Sequence, residues 1–198
     1  MSKIIIFGTS CNPFGNHHLR IIRALLEKFG RVLVYPCGNR PEDKPSTLLA
    51  SPRDKIEMLG LGLLGTTNVF MDCHDLVANT FTPTWKLDQI YKKEFPKSEV
   101  WHVVGGDLVQ GGANINSEIQ KKWQRGKEVW SNLNWVVIHH PGCTVNGKDL
   151  PPHSELVKLP EFGGRSTYIR NRVRLGISIT DLVPPKVEKY ILKHNLYK

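Results

Sequence analysis

The sequence predicts an α/β fold: a Rossmann-like, doubly wound parallel sheet between two layers of helices, with further helices at the C-terminus. Strand patterns and helix patterns alternate along the 198 residues, and this alternation favours parallel strands joined by right-handed crossovers. The run Ile4–Phe7 holds four apolar residues of high β propensity, which is typical of a strand buried on both faces. Apolar positions from Leu19 to Phe29 then recur at helical spacing. Together these observations predict a three-layer α/β/α domain.

The later elements continue the alternation. Strands are predicted where β-branched and aromatic residues cluster, and helices where apolar side chains recur every three or four positions. Ser51 before Pro52 is typical of a helix N-cap followed by the first helical position. The predicted order is strand Arg31–Tyr35, helix Pro52 to about Leu64, strand Asn68–Met71, helix Thr84–Phe95, strand Val100–Val104, a helical stretch near Ile119–Trp130, strands Trp135–Ile138 and Leu156–Leu159, and helices Thr167–Leu175 and Pro185–His194.

Length and composition predict a single domain, residues 1–198, with a substantial core. No apolar run approaches the roughly 18 residues of a membrane span, and the N-terminus leads into a strand without the layout of a signal peptide. Cys11, Cys37, Cys73 and Cys143 are spread apart without a Cys-x-x-Cys pair, which favours free thiols over disulfides or zinc. We therefore expect a cytoplasmic protein with no membrane partner.

The net charge of +9, from 27 Lys and Arg against 18 Asp and Glu, suits polyanionic ligands. Nucleic acid is one such ligand. The chain has no dense basic run, however, and a basic surface that serves solubility explains the charge equally well. We do not expect a nucleic-acid partner, and the sequence leaves open whether the chain forms a homo-oligomer.

The turn after the first strand is the strongest functional signal in the sequence. Gly, Asn and Pro within Gly8–Gly15 predict a turn, and His17 and His18 follow it at the mouth of the first helix. In open α/β sheets this mouth binds phosphates, because unpaired N–H groups and the helix dipole both favour an anion. Imidazoles there can donate hydrogen bonds to phosphate oxygens. The turn therefore predicts a nucleotide site.

Two common nucleotide-binding motifs are missing from the sequence. No Gly-x-Gly-x-x-Gly follows the first strand, and Gly-Lys-Ser/Thr occurs nowhere. Their absence argues against hydride-transferring Rossmann enzymes and against P-loop nucleotidases.

Five segments occur in an order that points to a known family. They are Gly8–Arg20, Gly38–Lys44, Trp85–Ile90, Gly105–Leu108 and Gly164–Arg170, and the C-terminal stretch Leu182–Tyr197 accompanies them. The first resembles the loop Gly-Ser/Thr-Phe-Asn/Asp-Pro-x-His/Thr-x-x-His-Leu of the nicotinamide/nicotinate mononucleotide adenylyltransferases. The others resemble later motifs of the same family, and the resemblance spans about the whole chain. Each motif alone is weak or moderate, whereas five in the right order are specific.

The resemblance implies an enzyme that transfers AMP from ATP to nicotinamide or nicotinate mononucleotide, forming NAD or deamido-NAD and pyrophosphate. The attacking phosphate monoester is already largely ionised near pH 7, because its second pKa is about 6, so it needs no general base. Catalysis would then rest on alignment and on stabilising charge on the phosphoryl groups. Mg²⁺ carried with ATP would supply part of that stabilisation, and no protein metal ligands are predicted.

The resemblance assigns one group of residues to ATP. His18 matches the second histidine of the opening loop, and Arg170 matches an arginine that holds the phosphates. With His17 these two are the candidate catalytic residues. The alternative interpretation of Lys44 is a solvated lysine in a loop. The alternative interpretation of Arg170 is a surface arginine in a helix that begins with a capping box. The predicted ATP-binding residues are Gly8, Thr9, Ser10, Gly15, His18, Lys44, Ser166, Thr167 and Arg170.

A second group is assigned to the mononucleotide. Asp107 would accept hydrogen bonds from a ribose hydroxyl, and its other reading is an N-cap. Trp85 and Trp123 match positions that stack on the pyridine ring, although Trp is also an ordinary core residue. The predicted mononucleotide-binding residues are Asn12, Trp85, Gly105, Asp107 and Trp123.

The opening loop departs from the family pattern at one position. Gly15 stands where the family has its first His or Thr. His17 or the backbone N–H of Gly15 could fill the gap, and a solvated residue at the helix start is the other reading of His17. This departure motivates one alternative, a non-catalytic nucleotide-binding homologue. A related nucleotidyltransferase with another phosphorylated acceptor is a second alternative, against which the two tryptophans and the C-terminal helices argue.

Overall fold

The computed structural model describes residues 2–38, 50–139, 143, 145–160 and 164–198. Within them the strands are β1 (Ser2–Thr9), β2 (Val32–Pro36), β3 (Val69–Met71), β4 (Ser98–Gly105), β5 (Asn134–His139) and β6 (Ser154–Lys158). They form one sheet in the order β3-β2-β1-β4-β5-β6, and each neighbouring pair is parallel. The predicted α/β fold with a doubly wound parallel sheet is confirmed.

Among the described residues, the first six helices lie between strands in the chain, and two more follow β6. They are α1 (Asn16–Phe29), α2 (Pro52–Leu63), α3 (His74–Ala78), α4 (Thr84–Glu94), α5 (Glu118–Lys122), α6 (Gly126–Asn132), α7 (Ser166–Arg174) and α8 (Pro185–Lys193). Ser51 is the N-cap of α2, and its side chain accepts a hydrogen bond from the Asp54 N–H. Most elements begin and end within two residues of their predicted bounds.

One predicted element is wrong in form. The helical stretch near Ile119–Trp130 is two short helices, α5 and α6, which meet at a break. Arg125 in the break has a φ of +56°, in the left-handed region that a helix cannot contain. The two helices also approach closely, since a Cβ added to Gly126 would lie 2.1 Å from the carbonyl oxygen of Ile119.

Strand β1 is buried on both faces, as the run of apolar residues predicts. Ile5 and Phe7 belong to the cluster that includes the buried side of α1. Ile4 and Ile6 face the opposite way and belong to the cluster that includes Leu87 of α4. A central strand enclosed in this way holds its carboxyl end in a fixed position.

The C-terminal helices pack on α2 and not on the middle of the sheet. Ile169 of α7, Val187 and Ile191 of α8 and Met58 of α2 share one buried cluster. The backbone N–H of Asn16 donates to the carbonyl of Leu182 at 2.8 Å, which joins the start of α1 to the segment before α8. This packing brings the N-terminus of α7 beside the end of β1. Among the described helices, none is long and apolar enough to cross a membrane.

Candidate active site

The site lies where the order of the strands reverses, between the carboxyl ends of β1 and β4. The chain leaves β1 at Thr9 toward β2 on one side, and β4 pairs on the other side. In open α/β sheets this crevice is where ligands bind. A loop, residues 10–15, leads from β1 into α1, and the turn Gly106–Leu108 follows β4. The predicted residues of these two segments, Gly8 to His18 in the first and Gly105 and Asp107 in the second, therefore share one edge of the sheet.

Apolar packing fixes the loop after β1. Cys11 and Phe14 are fully buried, and Cys11 takes a φ of +46°. Phe14 packs so closely on α2 that a Cβ added to Gly62 would lie 2.2 Å from its Cδ1. The polar groups between these two anchors are held in place before any ligand arrives, which is the arrangement that electrostatic catalysis needs.

His18 is held as a neutral imidazole that donates from Nε2. The Gly15 N–H donates to its Nδ1 at 3.1 Å, so the ring hydrogen lies on Nε2, which donates to Thr9 Oγ1 at 3.1 Å. The ring stacks on Phe14 with 5.4 Å between ring centroids. Burial first, and then the neighbouring His17, hold the pKa of His18 well below its usual 6.5. His18 therefore offers one N–H at the end of β1.

His17 lies against His18, with 3.9 Å between the ring centroids. Burial lowers its pKa to about 4. Its Nδ1 is buried without a hydrogen-bond partner, and its Nε2 is 3.5 Å from Ser166 Oγ. A bare lone pair costs less to bury than an unpaired N–H, so we assign the hydrogen to Nε2. His17 is thus a second neutral imidazole whose donor faces the start of α7.

The N-terminus of α7 meets the loop after β1 through direct hydrogen bonds. Ser166 Oγ donates to the Pro13 carbonyl at 3.0 Å. Arg170 Nη1 donates to the Asn12 carbonyl at 2.5 Å, and Arg170 Nη2 donates to Thr167 Oγ1 at 3.1 Å. Hydroxyls, a guanidinium and a helix N-terminus therefore converge on the loop, and each of them favours a phosphate.

The Asn12 side chain has its orientation fixed by two donors. Its Oδ1 accepts from the Ala50 N–H at 3.0 Å and from the Tyr197 hydroxyl at 2.8 Å. The amide nitrogen must then be the other atom, and it is buried without a partner. An unpaired buried amide is costly unless a ligand completes it. Burial, with a smaller opposing effect of Arg170, raises the pKa of Tyr197, so its hydroxyl stays protonated.

The two glycines in the turn after β4 leave room for neighbouring side chains. A Cβ at Gly105 would lie 2.3 Å from Asp107 Oδ1, and one at Gly106 would lie 2.4 Å from a methyl group of Val145. The Asp107 carboxylate therefore folds back over the end of β4, while the residue itself is exposed. A carboxylate at this edge can accept hydrogen bonds from hydroxyl groups of a ligand.

The two candidate tryptophans are half-buried beside this turn. Trp85 and Trp123 pack on the buried cluster that includes Val104 and Trp135. The Arg125 guanidinium lies 4.8 Å from the centre of the Trp85 ring, at cation–π distance. Both tryptophans are therefore partly core residues, and each keeps some exposed surface.

The other predicted residues divide into those placed at the site and one that is not described. Gly8 and Ser10 are exposed and Thr9 is half-buried, and a Cβ added to Gly8 would meet no atom within 4 Å. The backbone at the end of β1 is therefore open to a ligand. Lys44 lies outside the described residues.

Two contributors are not among the sequence-predicted site residues, Tyr197 and the backbone N–H of Ala50. The C-terminal segment that ends in Tyr197 matches the family, yet nothing in the sequence places its hydroxyl on residue 12, which is 185 positions away. The only sequence signal for a role of Tyr197 at the site is that this tyrosine lies in a C-terminal segment that resembles the family.

The sheet is doubly wound and parallel, and groups that can donate hydrogen bonds to a phosphate lie where its strand order reverses. This combination defines the class of α/β nucleotide-binding proteins. The family model described as cytidylyltransferase-like matches residues 6–172, and the chain belongs to that family.

Relatives of known name match over the full length of the chain. A probable nicotinate-nucleotide adenylyltransferase of Neisseria meningitidis serogroup B is 28% identical over 211 residues, which cover 100% of both chains. The nicotinate-nucleotide adenylyltransferase of Bacillus subtilis is 24% identical over 199 residues, again covering 100% of both. Among solved structures, the Plasmodium falciparum nicotinic acid mononucleotide adenylyltransferase complexed with NaAD superposes with a TM-score of 0.81 at 20% identity, covering 100% of this chain and 98% of that one. At that identity the superposition establishes the fold.

Proposed function

We propose that this chain is an adenylyltransferase that transfers AMP from ATP to nicotinate mononucleotide, forming deamido-NAD and pyrophosphate. The observation that carries the proposal is the junction of the loop after β1 with α7. Arg170 and Ser166 bond directly to the carbonyls of Asn12 and Pro13, across more than 150 positions of sequence. Two segments that resemble the ATP-binding motifs of one enzyme family are thus joined by hydrogen bonds, which supports a single binding site for phosphates.

ATP would occupy the mouth formed by the end of β1 and the start of α7. Its phosphates would accept hydrogen bonds from the Nε2–H of His18, from the hydroxyls of Ser166 and Thr167, and from Arg170. The open backbone at Gly8 lets a ligand approach closely. The remaining proposed contacts are Thr9 and Ser10 at the end of β1, Gly15 directly before α1, and Lys44.

The mononucleotide would lie on the β4 side of the crevice. Asp107 would accept a hydrogen bond from a ribose hydroxyl, and the exposed parts of the Trp85 and Trp123 side chains would contact the pyridine ring. The unpaired amide nitrogen of Asn12 would donate to a phosphate oxygen of this substrate. Nicotinate is proposed as the ring because the full-length relatives are named for it.

The reaction we propose is a direct displacement. An oxygen of the 5′-phosphate of the mononucleotide bonds to the α-phosphorus of ATP as the bond from that phosphorus to the α–β bridging oxygen breaks. The bridging oxygen leaves with the electron pair as part of pyrophosphate. Because the nucleophile is already an anion, the protein aligns the two phosphates and stabilises the charge that moves to the leaving group.

Mg²⁺ fits this site as a companion of ATP. Among the described residues, no group of three or more His, Cys, Asp and Glu is placed to hold a metal ion. The side chains at the loop are hydrogen-bond donors, which suit the anionic oxygens of a triphosphate. Bound to those oxygens, Mg²⁺ would neutralise charge that builds up on pyrophosphate.

The test is pyrophosphate release from ATP and Mg²⁺ with four acceptor conditions: nicotinate mononucleotide, nicotinamide mononucleotide, a polyol phosphate, and none. We expect release that depends on a pyridine mononucleotide and is fastest with nicotinate. Arg170→Ala should lower kcat/KM by about a hundredfold, whereas Arg174→Ala, an exposed arginine one turn later on α7, should not. Pyrophosphate release that occurs only with the polyol phosphate would refute the proposal. Release at the same rate when no acceptor is added would also refute it.

A further inference from the structure

We propose that His17 supplies the phosphate contact that residue 15 cannot make as a glycine, so that His17 and His18 hold the triphosphate of ATP as a pair of Nε2–H donors. This inference rests on the proposed function for the identity of the ligand. It answers the question raised by the opening loop, where glycine stands at a position that carries His or Thr in the family it resembles.

The space beside Gly15 is the first observation. A Cβ added to Gly15 would lie 2.7 Å from both Cε1 and Nδ1 of His17, and 2.9 Å from Cδ1 of Ile169. No real Cβ approaches ring atoms that closely. The His17 ring therefore occupies the volume in which a side chain at position 15 would begin, and only one of the two positions can carry an imidazole there.

The direction of the donor is the second observation. With Nδ1 of His17 enclosed and unpaired, the hydrogen on Nε2 faces Ser166 Oγ at 3.5 Å. That distance is the outer limit of a hydrogen bond, so the contact is weak. The Ser166 hydroxyl gives its own hydrogen to Pro13 and can only accept from His17. An anionic phosphate oxygen at the start of α7 would be a far stronger acceptor.

The pairing with His18 is the third observation. The two rings lie 3.9 Å apart, and both are buried, with exposed fractions of 9% for His17 and 6% for His18. Burying two polar rings side by side is unfavourable when one of them has only a weak partner. A ligand that accepts from both Nε2 atoms accounts for this arrangement, whereas packing alone would be served better by an apolar side chain.

An exchange of residues 15 and 17 tests the inference through ATP binding, without any need for turnover. Calorimetry would compare the affinities for ATP with Mg²⁺ and for adenosine in the wild type, His17→Gly, Gly15→His, and the double variant that combines the two. His153→Ala is the matched control, because His153 is exposed at the N-terminal end of β6, on the opposite edge of the sheet.

We expect His17→Gly to weaken ATP binding by about tenfold or more while adenosine affinity, which reports an intact fold, stays unchanged. The double variant should return to within about threefold of the wild type, because the imidazole again fills the same volume from the other position. Gly15→His alone should lower the melting temperature, since two rings then compete for one space. His153→Ala should match the wild type throughout.

Wild-type ATP affinity in His17→Gly would overturn the inference, and so would a double variant that binds ATP as weakly as His17→Gly. The readout also separates this inference from the proposed function. If the wild type makes no dinucleotide yet its ATP affinity depends on His17 in this way, the proposed function fails and the phosphate contact stands.

Discussion

At the scale of single residues, the site is a set of neutral hydrogen-bond donors fixed by packing. His18 accepts a hydrogen bond from the Gly15 N–H at Nδ1 and donates one from Nε2 to Thr9. The backbone at the N-terminus of α1 therefore sets the tautomer of His18. Arg170 adds a formal positive charge through its hydrogen bond to the carbonyl of Asn12. This division suits a substrate that brings its own metal ion and several negative oxygens.

Replacing His18 separates its donor from its packing. His18→Ala should lower kcat/KM by about 10² to 10³ and lower the free energy of unfolding by about 1–2 kcal/mol, since the Gly15 N–H loses its acceptor. His18→Gln, which places an amide N–H near the position of Nε2, should retain more activity than His18→Ala. Steady-state kinetics and urea unfolding check both; equal activity in the two variants would contradict the assigned donor role.

The neutral histidines should make stability depend on pH. The folded pKa of His17, about 4, lies below its unfolded value of about 6.5. The unfolded chain therefore binds the proton first as pH falls, and stability declines from about pH 6.5 to about pH 4. Between pH 7 and pH 5 His17 alone accounts for about 2 kcal/mol of that decline.

Urea unfolding at pH 7 and at pH 5 measures this decline in the free energy of unfolding. The decline should be smaller in His17→Asn and unchanged in His153→Asn. An unchanged decline in His17→Asn would show that His17 is not the titrating group.

The sequence allowed some of these residues to be predicted and not others. His18 and Arg170 stand in local motifs, so their positions follow from spacing along the chain. The contact of Tyr197 with Asn12 depends on how α8 packs against α2, and no local pattern encodes that packing. The space beside Gly15 that the His17 ring occupies is likewise bounded by Ile169, which belongs to a helix far away in the sequence.

At the scale of elements, the site depends on how the C-terminal segment closes on the loop after β1. Tyr197 donates to the same oxygen of Asn12 that receives the Ala50 N–H, so the last residues of the chain, the start of α2 and the loop meet at one side chain. Under the proposed function Tyr197 would be a positioning residue, because its hydroxyl bonds to Asn12, which is proposed to contact the mononucleotide.

Removing the Tyr197 hydroxyl should affect kinetics more than stability. Tyr197→Phe keeps the ring but removes one of the two donors that orient the Asn12 amide, and we expect kcat/KM for the mononucleotide to fall by about tenfold with little change in the KM for ATP. Tyr190→Phe is the control, because its hydroxyl bonds to Asp54 away from the loop. A fall in melting temperature alone, with unchanged kinetics, would assign Tyr197 a purely structural role.

Element boundaries were predictable wherever periodicity was long enough to measure. Strand β1 and helices α1, α2 and α4 follow from runs of apolar residues and from a cap. The break between α5 and α6 does not, because the left-handed backbone at Arg125 depends on the close approach of Gly126 to Ile119. Helix α3 has five residues, too few to show a helical period.

At the scale of the whole molecule, the topology places residues proposed to bind ATP and residues proposed to bind the mononucleotide on the same edge of the sheet. The strand order places the carboxyl ends of β1 and β4 at one edge, with the donors of the first loop after Thr9 and Asp107 after Gly105. The net charge of +9 suits substrates that are polyanions, since it favours their approach.

The central claim is that the α-phosphoryl group of ATP passes to a pyridine mononucleotide at this edge. The most direct measurement follows ³²P from ATP labelled at the α- or the γ-phosphate in the presence of Mg²⁺ and nicotinate mononucleotide. We predict that the α-label appears in deamido-NAD and the γ-label in pyrophosphate, in equal amounts. An α-label that stays in ATP, or that appears in free AMP without a dinucleotide, would contradict the claim.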